Sequence, residues 1–224
     1  MGTTGTASAP LDRDAIIRAA IAHADAEGLA GLSMRRLGDR LGVRAMSLYH
    51  HVPNKAALLD AMVDDVYRES GLPASDMPWR DALSDAYESL RASLVRHPWA
   101  IPLLDSRRTP GLPTLQRHDA VLGCLRAAGF SVRTSAHALS ALDSYTVGFA
   151  TQQVAIPFTA ADPVAEVMAE LLGDPIVLPH LAELGMELAA EPAYDYGDEF
   201  PIGLGYLLDR IGDELGRSGD ELGR

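Results

Sequence analysis

The sequence predicts an all-α fold, with a small N-terminal helical unit followed by a larger C-terminal helical one. Three observations predict it. Hydrophobic residues make up 47% of the 224-residue chain while aromatics reach only 6%, and Ala and Leu, strong helix formers, dominate the apolar set. Apolar residues recur three and four positions apart, and no segment alternates as a half-buried strand would. Helix punctuation is frequent, with Ser33, Asn54 and Ser131 placed as N-caps and Gly28, Gly42 and Gly129 as terminators.

Residues 1–10 are small and polar and read as a disordered arm. Ile16, Ile17, Ala20, Ile21 and Ala24 form the apolar stripe of a first helix at about 12–27, with Gly28 past its end. Ser33 opens a second helix that Gly42 closes. Val43 is a turn residue able to tuck inward. A third short helix, about 44–50, has Leu48 as its inward anchor and is stopped by Pro53. Asn54 caps a fourth, about 55–70, and Gly71 closes a unit spanning 11–70.

Residues 71–78 read as a hinge that opens the second unit, 71–215. A helix at about 79–96 is broken by His97-Pro98-Trp99, which starts a short apolar piece through Leu104. A loop at 107–113 leads to a helix at about 113–128. The long helix at about 132–154 places Ala138, Leu142, Tyr145 and Phe149 on one heptad-like stripe that wants a helical partner. Asp162-Pro163 starts a helix through about Leu172. Further helices follow at about 180–190 and 199–215, and 216–224 reads as a flexible tail.

Net charge is −12, which argues against nucleic acid only as an average. Residues 1–55 sum to +2 and 33–55 to +4, leaving −14 on the remainder. Such asymmetry marks a nucleic-acid-facing segment and confines any DNA contact to it. One cysteine, Cys124, excludes an internal disulfide and reads as a small core residue. No apolar run approaches the ~20 residues of a membrane span, and the N-terminus has no signal-peptide pattern. The expectation is a cytoplasmic protein without membrane contact.

The stretch from Leu32 to Lys55 pairs two short helical patterns across a glycine turn, with Met34, Leu37, Leu41, Val43 and Leu48 facing inward. This is the pattern of a helix-turn-helix, whose second helix enters the major groove. On the third helix the groove-facing candidates are Arg44, Ala45, Ser47, Tyr49 and His50. Arg44 can fork onto a guanine edge and Ala45 can pack on a thymine methyl. Ser33, Arg35, Tyr49, His51 and Lys55 are placed for phosphates. Met46 reads as a packing or solvent-edge residue.

Leu32–Asp60 resembles the DNA-binding domain of the tetracycline-repressor (TetR) family. The resemblance rests on Arg35 and Leu37, Leu41-Gly42-Val43, Ser47 through Val52, and Asn54-Lys55 with Ala57-Leu58-Leu59. Trp79-Arg80-Asp81, His97-Pro98-Trp99, Ala128 through Ser131, Ala138 through Leu142 with Gly148, and Tyr194-Asp195-Tyr196-Gly197 resemble the C-terminal domain of the tetracycline repressors themselves.

The resemblance implies a transcriptional regulator, a repressor bound as a homodimer to a palindromic double-stranded DNA operator and released by a small apolar effector. It places the dimer contact on the helices near 132–154 and 199–215 and makes the fourth helix the lever between reader and pocket. Candidates to line the pocket are Trp99, Leu103, Gln116, His137, Tyr145, Phe149 and Gln152, each of which can equally serve the core or the dimer interface. The family's magnesium–drug ligands fall by position on Gly71 and Leu104. The expectation is therefore no metal, no cofactor and an effector other than tetracycline.

Two other function classes fit the sequence less well. An enzyme would need a Gly-rich phosphate loop, a nucleophile elbow or paired metal ligands, none of which the sequence carries. Its best acidic cluster, Asp195, Asp198 and Glu199, reads as a cap for the last helix. A ligand-binding scaffold without DNA binding would have no use for the basic 33–55 stretch. A transcriptional activator of the same fold stays open.

Overall fold

The computed structural model describes residues 11–106, 109–156, 178–190 and 194–221. Among them the helices are α1 (Arg13–Glu27), α2 (Met34–Leu41), α3 (Ala45–Tyr49), α4 (Lys55–Glu69), α5 (Trp79–Arg96), α6 (Ile101–Ser106), α7 (Leu112–Ala127), α8 (Val132–Ala155), α9 (Pro179–Ala190) and α10 (Glu199–Glu221). Single 3-10 turns occupy Leu29–Gly31, Pro98–Ala100 and Tyr196–Asp198. No strand occurs among the described residues. The arm at 1–10, residues 107 and 108 of the expected loop, and the helix expected from Asp162-Pro163 to Leu172 lie outside them.

The expected caps bond as their chemistry requires. Ser33 Oγ accepts from the Arg36 N–H at 3.2 Å, Asn54 Oδ1 from Ala57 at 2.8 Å and Ser131 Oγ from Thr134 at 3.0 Å. Asp12 caps α1 through the Ala15 N–H at 2.6 Å. Two boundaries differ from expectation. The third helix begins at Ala45 rather than 44, because Arg44 keeps an extended backbone (φ −73°, ψ 143°) and serves as its N-cap. The last helix runs on to Glu221 rather than stopping near 215. Arg210 and Glu214, 2.7 Å apart at i and i+4, support the turn just before that extension.

The chain forms two compact units, one of Met1–Leu72 with Ala92–Ala120 and the other of Pro73–Arg91 with Val121–Arg224. Buried polar contacts hold the segments of the first unit together. The indole N–H of Trp99 donates to Asp25 Oδ1 on α1 at 2.6 Å. Arg117, fully buried on α7, donates to the Gly71 carbonyl at 2.9 Å. These bonds bind residues 92–120 to α1 and the end of α4.

In the first unit α1 packs on α2 and α4, and α2 on α3. Ile16, Ala20, Leu37, Leu48, Leu58, Met62 and Val63 fill its core. In the second unit α8 packs along α10, the helical partner that the stripe on α8 called for. Leu142, Phe149, Ala150, Phe200, Leu204 and Leu208 are among its buried residues, and the Phe149 and Phe200 rings meet edge-on at 5.1 Å. Trp79 sets its ring edge-on to Phe130 at 5.0 Å, and Tyr87 donates to Asp143 on α8 at 2.9 Å.

Candidate functional site

The helix-turn-helix is built around a turn of three residues, Gly42, Val43 and Arg44. Gly42 ends α2 in the left-handed region (φ 69°, ψ 25°), which glycine adopts without the Cβ clash that penalises other residues. The Val43 N–H then returns to the Gly38 carbonyl at 2.9 Å, and the Ser47 N–H meets the Arg44 carbonyl to start α3. Gly38, buried inside α2, makes the close approach possible. A Cβ there would stand 2.9 Å from the Val43 carbonyl oxygen and 3.2 Å from the Ala45 nitrogen. A glycine inside a helical pattern is the signal that could have flagged this contact.

Leu48 is fully buried and turns the remaining side chains of α3 outward. Arg44, Tyr49, His50 and His51 are exposed, as are Arg35 and Lys55, while Ala45 and Ser47 are half-buried. Met46 is 71% exposed, so it is not a packing residue. Ser33 is occupied as a cap acceptor, which leaves its O–H free to donate.

The arginines divide into two groups. Arg36 donates to the Gly31 carbonyl at 3.2 Å, and Arg40 lies 3.2 Å from His23 Nδ1 and 3.8 Å from Glu27. Both are tied back to the unit's own surface. Arg35, Arg44 and Lys55 have no hydrogen-bond or ion-pair partner among the described residues. They present unneutralised cations beside α3. His23, buried on α1 against Arg40 and Glu27, was not singled out in the sequence.

Two grooves open between α8 and α10. The first, about 530 Å³, is lined by Tyr145, Phe149 and Gln152 together with Tyr196, Glu199, Ile202 and Tyr206. The second, about 320 Å³, is lined by His137 with Leu207, Arg210 and Glu214 among others. The structure thus brings together three of the expected pocket residues and places a fourth nearby on the same helix pair. Trp99, Leu103 and Gln116 belong to the first unit and line neither groove. Trp99 is buried, with its indole N–H committed to Asp25, and Gln116 is exposed.

The first groove has an aromatic wall. Tyr145 stacks on Phe200 at 5.2 Å and Phe149 on Tyr196 at 4.7 Å. Burial pushes both phenols above the ordinary tyrosine value, and the neighbouring Glu199 carboxylate adds to the shift. The neutral hydroxyls donate, Tyr145 to the Phe200 carbonyl at 3.0 Å and Tyr196 to Gln152 Oε1 at 2.8 Å. Asp195 accepts from the Gly197 N–H at 2.7 Å and so caps the 3-10 turn ahead of the last helix, rather than the last helix itself. Cys124 is half-buried, and burial raises its thiol pKa, the opposite of an activated nucleophile. Among the described residues no helix is long and apolar enough to cross a membrane.

Residues 16–62 match the family described as "Bacterial regulatory proteins, tetR family", and residues 72–214 match "Tetracyclin repressor-like, C-terminal domain". The "HTH-type transcriptional repressor DrrR1" of Streptomyces coeruleorubidus is 40% identical over 146 residues, which cover 64% of this chain and 54% of that protein. The "Tetracycline repressor protein class C" of Escherichia coli is 36% identical over 148 residues, 65% of this chain and 67% of that one. The structure of ActR from Streptomyces coelicolor in complex with actinorhodin superposes with a TM-score of 0.75 at 26% identity, covering 93% of this chain and all of that chain. The matched region thus spans little more than half the length of the first of these relatives.

Proposed function

The chain belongs to the TetR family of bacterial regulatory proteins, and from that premise we propose that it is a repressor that binds a palindromic operator as a homodimer and leaves it when a small apolar molecule binds. Residues 11–70 are the DNA reader and 71–215 the effector-binding and dimerisation region. The observation that carries the reading is the outer surface of α2 and α3. A buried Leu48 and a tight glycine turn support a helix whose exposed face is Tyr49 and His50, flanked by the free cations Arg35, Arg44 and Lys55.

Cations without internal partners can neutralise phosphates with no ion pair to break first, and each phosphate neutralised steepens the salt dependence of binding. Two readers on one dimer would contact half-sites about 34–36 Å apart. Each copy contributes α8 and α10 to the dimer. Ile202 and Tyr206, 50% and 72% exposed on α10, support that surface, as do the open grooves beside them. His137, Tyr145, Phe149 and Gln152 then serve this interface.

The ActR complex with actinorhodin supports a small-molecule effector and makes actinorhodin the first compound to titrate. The ligand need favour the DNA-free arrangement by only a few kcal/mol to empty the operator.

The deciding experiment measures operator affinity against salt for the full chain and for Arg44→Ala and Lys55→Ala. Lys55→Ala should weaken all sequences alike and lower the salt slope by about one. Arg44→Ala should weaken binding roughly tenfold or more at its half-site base and relax the preference there. Affinity and slope unchanged in both variants would remove the reader assignment.

A further inference from the structure

Between residues 11 and 71, the surface exposes only two large apolar side chains, Met46 at 71% and Tyr49 at 42%. Both lie on α3, three residues apart, and so share its outer face. Lone exposed apolar side chains are ordinary on protein surfaces. Here every large exposed apolar side chain of a 61-residue segment is gathered on one five-residue helix.

We propose that Met46 reads the C5-methyl group of a thymine in the major groove, the role that sequence reasoning assigns to Ala45. The inference rests on the DNA-reader assignment and sharpens it. Ala45 is poorly placed for the task. It is half-buried, and its backbone is pressed toward α2, with the Ala45 Cα only 3.4 Å from where a Gly38 Cβ would stand. Its single methyl group also gives it the shortest reach on the helix.

Met46 has the longer reach and a flexible, polarisable thioether that moulds to a surface. The exposed Arg44 and His50 around it form a polar rim. Such a rim suits a phosphate-flanked groove better than an apolar protein surface. In that groove the thymine methyl is the apolar feature, and it separates thymine from cytosine.

The test enriches a binding duplex from a random-sequence DNA library with the full chain. Each thymine is then replaced singly by deoxyuridine, which removes only the methyl group. At one thymine per half-site, deoxyuridine should weaken wild-type binding about fourfold, the ~0.8 kcal/mol of one buried methyl group taken at 1.4 kcal/mol per decade. The same replacement should leave Met46→Ala binding unchanged, and Met46→Leu should keep the preference.

Deoxyuridine penalties that are equal in wild type and Met46→Ala, or absent from both, overturn the inference while leaving the DNA reader intact. Failure of the library to yield any sequence-preferring duplex overturns the reader itself and this inference with it. Thermal melting of Met46→Ala should match wild type, since the side chain touches no core.

Discussion

His97 sits where three segments meet. Its Nδ1 lies 2.7 Å from Asp25 Oδ1 on α1 and its Nε2 3.1 Å from Glu69 Oε2 at the end of α4. Trp99 donates to the same Asp25 oxygen, and Arg96 pairs with Glu69. In the sequence His97-Pro98-Trp99 is legible only as a helix break, because its partners are 28 and 72 residues away. His97 itself is buried, while its carboxylate partners are one-third and 43% exposed. Deleting the imidazole strips partners from two carboxylates that water can partly reach. His97→Ala should therefore lower unfolding free energy by about 1–3 kcal/mol, read as a fall in the urea midpoint at unchanged m-value. A midpoint equal to wild type would show the hub to be incidental. The same long-range logic separates the arginines. Arg36 and Arg40 look no different from Arg35 and Arg44 along the chain, and only the positions of Gly31, His23 and Glu27 tie the first pair down.

Most helices could be read because their signals are local. Ser33, Asn54 and Ser131 bond within three residues of themselves, so their caps follow from nearest neighbours. The junction of α2 and α3 was legible in kind but not in tightness. Gly38 meets the backbone of Val43 and Ala45, and neither can swing aside as a side chain would. Gly38→Ala gains some helix propensity but forces a Cβ to within 2.9 Å of the Val43 carbonyl oxygen. The overpacking should dominate, at about 1–3 kcal/mol of stability. It should also displace α3, so DNA affinity should fall by more than the loss of folded protein explains. Melting and binding measured on one preparation would check this. Gly38→Ser retaining full affinity would argue against a close approach there.

At the scale of the molecule, α10 carries a wider apolar stripe than one chain buries. Leu204 and Leu208 are covered by their own chain, while Ile202 and Tyr206 are not. Tyr206→Glu should leave the fold of the single chain intact, because the side chain is 72% exposed. It should convert a micromolar dimer to monomer in sedimentation, and operator affinity should drop with it, since one half-site binds more weakly than two. A monomeric wild type under those conditions would remove the two-reader arrangement.

What the sequence determined alone is what depends on neighbours in the chain. That includes the all-α class, the caps, the glycine turn and the basic character of 33–55, because capping, periodicity and charge act over a few residues. Tertiary structure decided which side chains remained available. It buried Trp99 on Asp25, drew 92–120 onto α1 and α4, tied down two of the arginines, pressed Ala45 against α2 and left Met46 in the open. The physical reason is that availability is set by partners distant in sequence, and no local pattern records where those partners come to rest.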